Sequence, residues 1–210
     1  STEDERIRPS VDWYNHVLGA WARSDLGGAL EKTKQILRGI ETYDDALVDN
    51  RANERIANGS LRQCWASPDT ISYNSVLFCL ARDSGKGRAK EAEALLHHMK
   101  ERYHETKNVN IQPDEVTYGA VLHALAQEGM AREAESILDS LEDDAAIIPS
   151  LTIYNTVLNA WANSPKHNAP KHAESLLDRM KVLRQTGKNP TIEPDAISIS
   201  TVISCHARSK

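Results

Sequence analysis

The sequence predicts an all-α chain, a solenoid of helix-turn-helix repeats, and three observations carry that expectation. The stretches YNHVLGAWA (14–22), YNSVLFCLA (73–81), YGAVLHALA (118–126), YNTVLNAWA (154–162) and ISTVISCHA (199–207) align without a gap. A second apolar stripe follows each of the first four copies. Turn-forming segments such as DSGKGR and QEG separate the two stripes.

In every copy, Tyr or Ile is followed at three, four, seven and eight residues by apolar or small side chains, with His206 the polar exception. That spacing is the buried face of an α-helix. These first, or A, helices are expected at 11–23, 70–82, 115–127, 151–163 and 196–208. The second, or B, helices carry Thr33, Ile36, Leu37 and Ile40; Ala92, Leu95, Leu96 and Met99; Ala134, Ile137, Leu138 and Leu141; and Ala173, Leu176, Leu177 and Met180. An A helix and a B helix joined by a short turn form an antiparallel hairpin, which must bury its remaining apolar face on the next hairpin.

The repeats divide the chain into a tail, 1–10, and an array over 11–210: units at about 11–69, 70–114, 115–150 and 151–195, and a partial unit at 196–210. Successive copies are 59, 45, 36 and 45 residues apart, so the hairpin stays constant while the connections vary. The longest connection, 41–67, is polar and turn-rich; it reads as an extended B helix plus a loop, and as a surface for a protein partner. The last A-helix pattern has no B pattern behind it, and a longer array is expected.

Composition narrows the function classes. The 210 residues are 40% hydrophobic with one Phe, which suits modular packing better than one large core. There is no apolar run of about 18 residues, so no membrane span is expected, and no leader is visible. Cys64, Cys79 and Cys205 are far apart and form no CxxC pair, which favours a reducing compartment and buried thiols over disulfides or a thiolate metal site. His97 and His98 are adjacent on a B helix and cannot both face one metal, and His167 and His172 lack ligand-type neighbours. DSGKGRAK lacks the GxxxxGK[ST] spacing of a phosphate loop and reads as an inter-helix turn. No cofactor and no catalytic constellation is expected. The formal charge of −5 weighs against a strong nucleic-acid binder.

The segments that open the A helices hold the candidate site. Pro9, Pro68, Pro113, Pro149 and Pro194 end the preceding segment, because proline lacks a donor and biases its predecessor to extended backbone. Ser10, Asp69, Asp114, Ser150 and Asp195 then stand where a side-chain oxygen can cap the next helix. Capping accounts fully for these pairs. It does not account for Asn15, Asn74 and Asn155, which follow the A-helix tyrosine and flank the buried stripe. Asparagine is a poor helix former, yet it recurs in three units, with Ser200 in a fourth and Gly119 in the remaining one.

The PDxxxYNxVL opening, the small-residue-led B helix and the hairpin repeat together resemble pentatricopeptide repeats, from about residue 11 onward. Tetratricopeptide repeats are the nearest alternative, but their first-helix Trp, Gly and Tyr landmarks are absent. The resemblance implies a right-handed superhelix whose A helices line the inner surface, each repeat reading one base of single-stranded RNA. Two side chains select the base, the residue after the A-helix tyrosine and the last residue of the repeat. Carried over, these are Asn15 with Asp69, Asn74 with Asp114, Gly119 with Ser150, and Asn155 with Asp195, with Ser200 opening the partial unit.

A carboxamide offers both a donor and an acceptor to a pyrimidine edge, while a carboxylate braces it from behind. In the family, Asn with Asp is the pyrimidine combination, uridine preferred. The implied reading is pyrimidine, pyrimidine, unspecified, pyrimidine, since Gly119 has nothing to select with. The resemblance further implies base packing by Ile71, Val116 and Ile197, with Asp12 and Thr152 poor substitutes, and phosphate contact at the last A-helix residue, by Arg23, Arg82 and Arg208. The same arginines also fit as solvated helix ends that complement the helix dipole. They meet the charge objection, because the five A helices carry only Asp12 and Glu115 as acidic residues. The expected function is thus a non-catalytic, sequence-selective RNA-binding module for processing, stability or translation, in a mitochondrion or plastid. A structural adaptor holding a protein within a ribonucleoprotein assembly is the other open reading, as is a catalytic domain beyond residue 210.

Overall fold

The computed structural model describes residues 10–54, 67–83, 85–143 and 147–208. Among them are nine α-helices, one short 3-10 turn and no strand. The A helices are α1 (Val11–Arg23), α3 (Thr70–Arg82), α5 (Glu115–Gln127), α7 (Leu151–Asn163) and α9 (Ala196–Arg208), each of 13 residues and each where the sequence pattern places it. The B helices are α2 (Ala29–Glu54), α4 (Arg88–Thr106), α6 (Ala131–Asp143) and α8 (Ala169–Gln185). The expected extension of the first B helix is present as far as Glu54. Most of the tail, Cys64 and the rest of the loop proposed for the first connection lie outside the described residues. No helix among the described residues is long and apolar enough to cross a membrane.

The chain forms two compact units, one of residues 1–79 with 99–112, the other of residues 80–98 with 113–210. In the first, Leu18 of α1 and Ile40 of α2 are buried together, with Tyr14 and Ile36 packed on them. Those four side chains are the stripes of the first hairpin, so its A and B faces meet as the periodicity requires. Tyr73 is fully buried, and its hydroxyl donates to Glu41 Oε1 at 2.6 Å. Arg102 on α4 reaches the same acidic segment, donating to Asp44 at 3.1 Å and Asp45 at 2.9 Å.

In the second unit α5, α7 and α9 lie side by side, while α6 packs on α5 and α7, and α8 on α7 and α9. Each B helix thus sits between its own A helix and the next, which is how a hairpin buries both faces. Trp161 of α7 is fully buried and stacks on His172 of α8, ring centroids 4.1 Å apart. The polar clamp of the first unit recurs here. Tyr154 donates to Glu142 Oε1 at 2.6 Å, and Arg179 reaches Glu142 at 2.7 Å and Asp139 at 2.6 Å. Two acidic segments, Glu41 to Asp45 and Asp139 to Glu142, therefore serve joints between hairpins, each receiving a tyrosine hydroxyl and an arginine from the following repeat.

Gly129, in the turn between α5 and α6, has φ +66. A Cβ there would lie 2.6 Å from Asn163 O. Both features require glycine. Gly129→Ala is expected to cost about 1–2 kcal/mol from the left-handed backbone alone, with the close approach adding to it, read as a lowered midpoint in thermal unfolding. The clamps give a pH dependence. Burial, then the glutamate hydrogen bonds, push the phenols of Tyr73 and Tyr154 well above their ordinary value. The folded chain then holds protons that the unfolded chain releases above about pH 10. Stability should fall as pH rises past that point, and Tyr154→Phe should lessen the slope, measured by denaturant unfolding between pH 8 and 11.

Candidate nucleic-acid interface

The site is built where one A helix meets the start of the next. In the first unit, Asp69 precedes α3 and accepts from the backbone N–H of Ser72 at 2.9 Å, which satisfies one orphan donor of that helix. The same carboxylate receives the Asn15 amide, Nδ2 lying 3.1 Å from Oδ1 and 2.9 Å from Oδ2. Ser72 completes the cluster. Its hydroxyl stands 2.7 Å from Asn15 Oδ1 and 3.0 Å from Asp69 Oδ1, and it accepts from Asp69 N–H at 3.3 Å.

The second unit repeats this arrangement with different residues. Asn155 Nδ2 lies 3.3 Å from Asp195 Oδ1, and the Ser198 hydroxyl donates to Asn155 Oδ1 at 2.6 Å. Ser198 N–H donates to Asp195 Oδ1 at 2.8 Å. The Asp195 carboxyl is held below its ordinary value first by that N–H, against some desolvation, and then by the Ser198 hydroxyl and the Asn155 amide.

The other two predicted pairs are Asn74 with Asp114 and Gly119 with Ser150. Asn74 is half-buried at the fifth position of α3. Asp114 caps α5 in a reciprocal box with Thr117, accepting from Thr117 N–H at 2.8 Å. The two residues belong to different units. Gly119 has no side chain to offer, and Ser150 makes no side-chain cap bond. The capping expected of Ser150, and of Ser10 before α1, is therefore corrected. Reciprocal capping needs a polar group at the third helix position, where α7 has the buried Ile153 and α1 has Trp13. Ser150 Oγ is buried with no partner among the described residues. Ser200 turns its hydroxyl back onto its own helix, donating to Ile197 O at 3.0 Å.

Ile71, Val116 and Ile197 are 59, 65 and 61% exposed, as are other branched apolar residues such as Val109 and Ile203. Asp12 and Thr152, at the same helix position, are exposed too. Phe78, which sequence reasoning passed over, is 46% exposed one turn beyond Asn74.

The last A-helix position carries a second duty. Gln127 donates to Ala81 O at 2.8 Å, Asn163 to Ala126 O at 3.0 Å and Arg208 to Ala162 O at 3.2 Å, each reaching the end of the preceding A helix. Free carbonyls there are capped from the next repeat. Arg208 also donates to Asn163 Oδ1 at 2.7 Å. Arg23 lies along Gly19 of its own helix, and Arg82 is exposed.

The missed members of the site are the hydroxyls Ser72, Thr117 and Ser198, all fully buried at the third A-helix position. Their signal was a Ser or Thr immediately before the Tyr or Ile of three of the copies. Among the described residues no cluster of three or more His, Cys, Asp or Glu side chains could hold a metal ion. Cys79 and Cys205 are buried cysteines, and burial pushes the Cys205 thiol up.

The pentatricopeptide repeat domain profile matches residues 103–164. Two pentatricopeptide repeat-containing proteins of Arabidopsis thaliana, At3g62890 and At4g14820, are each 26% identical to this chain, over 94% and 84% of its length. In sequence the chain is similar to the pentatricopeptide repeat family. It spans 32% and 24% of the length of those two relatives. The crystal structure of the pentatricopeptide repeat protein PPR10 in complex with an 18-nt RNA element matches with a TM-score of 0.57 and 19% identity, over 96% of this chain and 23% of that one. That likeness is one of fold.

Within these repeats the capping contrast is directly testable. Asp114→Ala is expected to cost about 1 kcal/mol, whereas Ser150→Ala should leave stability nearly unchanged, compared by the midpoints of urea unfolding.

Proposed function

We propose that this chain is a non-catalytic repeat module that reads single-stranded RNA, one base per repeat, with a preference for pyrimidines and for uridine in particular. The observation that carries the reading is the amide–carboxylate pair held in the same geometry by two repeats, Asn15 with Asp69 and Asn155 with Asp195. A carboxamide has two N–H groups and two lone pairs. With one N–H given to the carboxylate and one lone pair to a hydroxyl, a donor and an acceptor remain side by side. Uracil and cytosine each present a matching pair on the edge that single-strand readers use.

The surrounding residues support the same reading. Ile71, Val116 and Ile197 offer exposed apolar surface three residues from the reading position, and Arg23 and Arg82 add positive charge at the far end of two A helices. Five carboxylates are engaged on B helices, Glu41 with Tyr73, Asp44 and Asp45 with Arg102, and Asp139 and Glu142 with Arg179. PPR10, whose fold this chain shares, was solved on an RNA element. The plant relatives fit a module that works on transcripts of a mitochondrion or plastid. The preferred order is pyrimidine, pyrimidine, unspecified, pyrimidine for the units led by Asn15, Asn74, Gly119 and Asn155.

With stacking and base contact worth about 1–3 kcal/mol per unit, and several kcal/mol lost on association, the affinity should be modest. Titration of the chain with oligo(U), oligo(C) and oligo(A) should give tighter binding to the pyrimidine strands and a log–log salt slope of about −2, the value for roughly three phosphate contacts. Asn155→Ala and Asn74→Ala should each narrow the preference for U over A by roughly threefold to tenfold. Equal and salt-insensitive binding to all three strands would instead favour the adaptor role.

A further inference from the structure

We propose that Ser198 and Ser72, the buried hydroxyls at the third position of their A helices, are specificity-determining positioning residues for the asparagine of the preceding repeat. The proposal rests on the RNA-reading role above. The oxygen and nitrogen ends of a carboxamide have nearly the same shape, so a half-turn of the group exchanges donor for acceptor and inverts what a base would meet. The reading position must therefore be held one way round.

The carboxylate does part of this, because it only accepts and so draws Nδ2 towards it. In the second unit that bond is long, 3.3 Å, whereas the bond from the Ser198 hydroxyl to Asn155 Oδ1 is 2.6 Å. The hydroxyl is the tighter of the two restraints. It also has a defined direction. Ser198 Oγ accepts from Asp195 N–H at 3.2 Å, leaving its single proton to be given, and Asn155 Oδ1 is nearer than Asp195 Oδ1 at 2.9 Å. In the first unit the same choice stands at 2.7 Å to Asn15 Oδ1 against 3.0 Å to Asp69 Oδ1.

Both serines are fully buried, so neither can touch a strand, and no water can readily take over the bond. They act only through the amide. The chain supplies its own comparison. Gly119 has no amide to hold, and the repeat after it has buried Ile153 in place of the hydroxyl. A Cβ on Gly119 would meet Ile153 Cδ1 at 3.9 Å, so the place where an amide would begin faces a methyl group.

The test uses the whole chain and two probes, oligo(U) and oligo(A), at one salt concentration. Ser198→Ala should narrow the U over A preference by roughly threefold to tenfold, the span of one lost hydrogen bond, and approach Asn155→Ala. Ser198→Thr, which restores a hydroxyl of the kind Thr117 provides, should return the preference. The salt slope should not move. As a gain-of-function counterpart, Gly119→Asn with Ser150→Asp should widen the preference only when Ile153→Ser is added, which keeps the proposal testable if Ser198→Ala fails to fold. A folded Ser198→Ala with an unchanged preference, or with equal losses for both strands, would overturn this inference alone. Failure of the unmodified chain to bind either strand would overturn the RNA-reading role itself, and this inference with it.

Discussion

One carboxylate at the joint between two hairpins bonds in both directions, and the site depends on it. Asp195 accepts from the backbone of the helix it precedes, through Ser198 N–H, and from the side chain of the helix before, through Asn155. Asp69 does the same with Ser72 and Asn15. Helix starts leave N–H groups without partners, and an acidic N-cap is the cheapest way to satisfy them. Once that cap is fixed, its free lone pairs stand beside the preceding A helix. The amide–carboxylate geometry is therefore a by-product of capping, and each such pair is complete only when two consecutive repeats are stacked.

Two of the joints also use a different chemistry for the same end. A buried tyrosine hydroxyl and an arginine from one repeat meet the acidic segment of the B helix before it, Tyr73 and Arg102 on Glu41, Asp44 and Asp45, and Tyr154 and Arg179 on Asp139 and Glu142. Such half-buried ion pairs contribute little to stability by themselves, since desolvation offsets much of the attraction. They do fix register, because the tyrosine hydroxyl must find a partner where it is buried. Five of the carboxylates behind the net acidity are fixed in this way.

The A helices were legible in the sequence to the residue, because helical periodicity is local and thirteen residues suffice to display it. The extended B helix was legible for the same reason, as far as Glu54. The hydroxyls were not, since Ser72 finds its amide partner 57 residues away and Ser198 finds its own 43 away. A small polar side chain before the Tyr or Ile says nothing by itself about a partner so distant. Nor did the sequence reveal that Gln127, Asn163 and Arg208 cap the preceding A helix, a bond that either an amide or a guanidinium can make. Arg208 was read for its charge, while its neighbours in the pattern show that the position first requires a donor.

The third unit separates two properties that the other joints combine. Between α5 and α7 the amide, the carboxylate and the hydroxyl are replaced together, by Gly119, Ser150 and Ile153, yet α5 and α7 remain side by side. Asn163 still caps Ala126 there, and Ile153 is buried where a polar group stands in other repeats. Apolar packing, the carbonyl cap and the clamp of Tyr154 and Arg179 on Asp139 and Glu142 thus join these hairpins without the amide cluster. The polar cluster is dispensable for stacking, and burying three hydrogen-bonding groups only to hold two helices together would gain little over an isoleucine. Its reappearance between α7 and α9, with partners equivalent to those of Asn15, is what the proposed reading of a base by the amide requires.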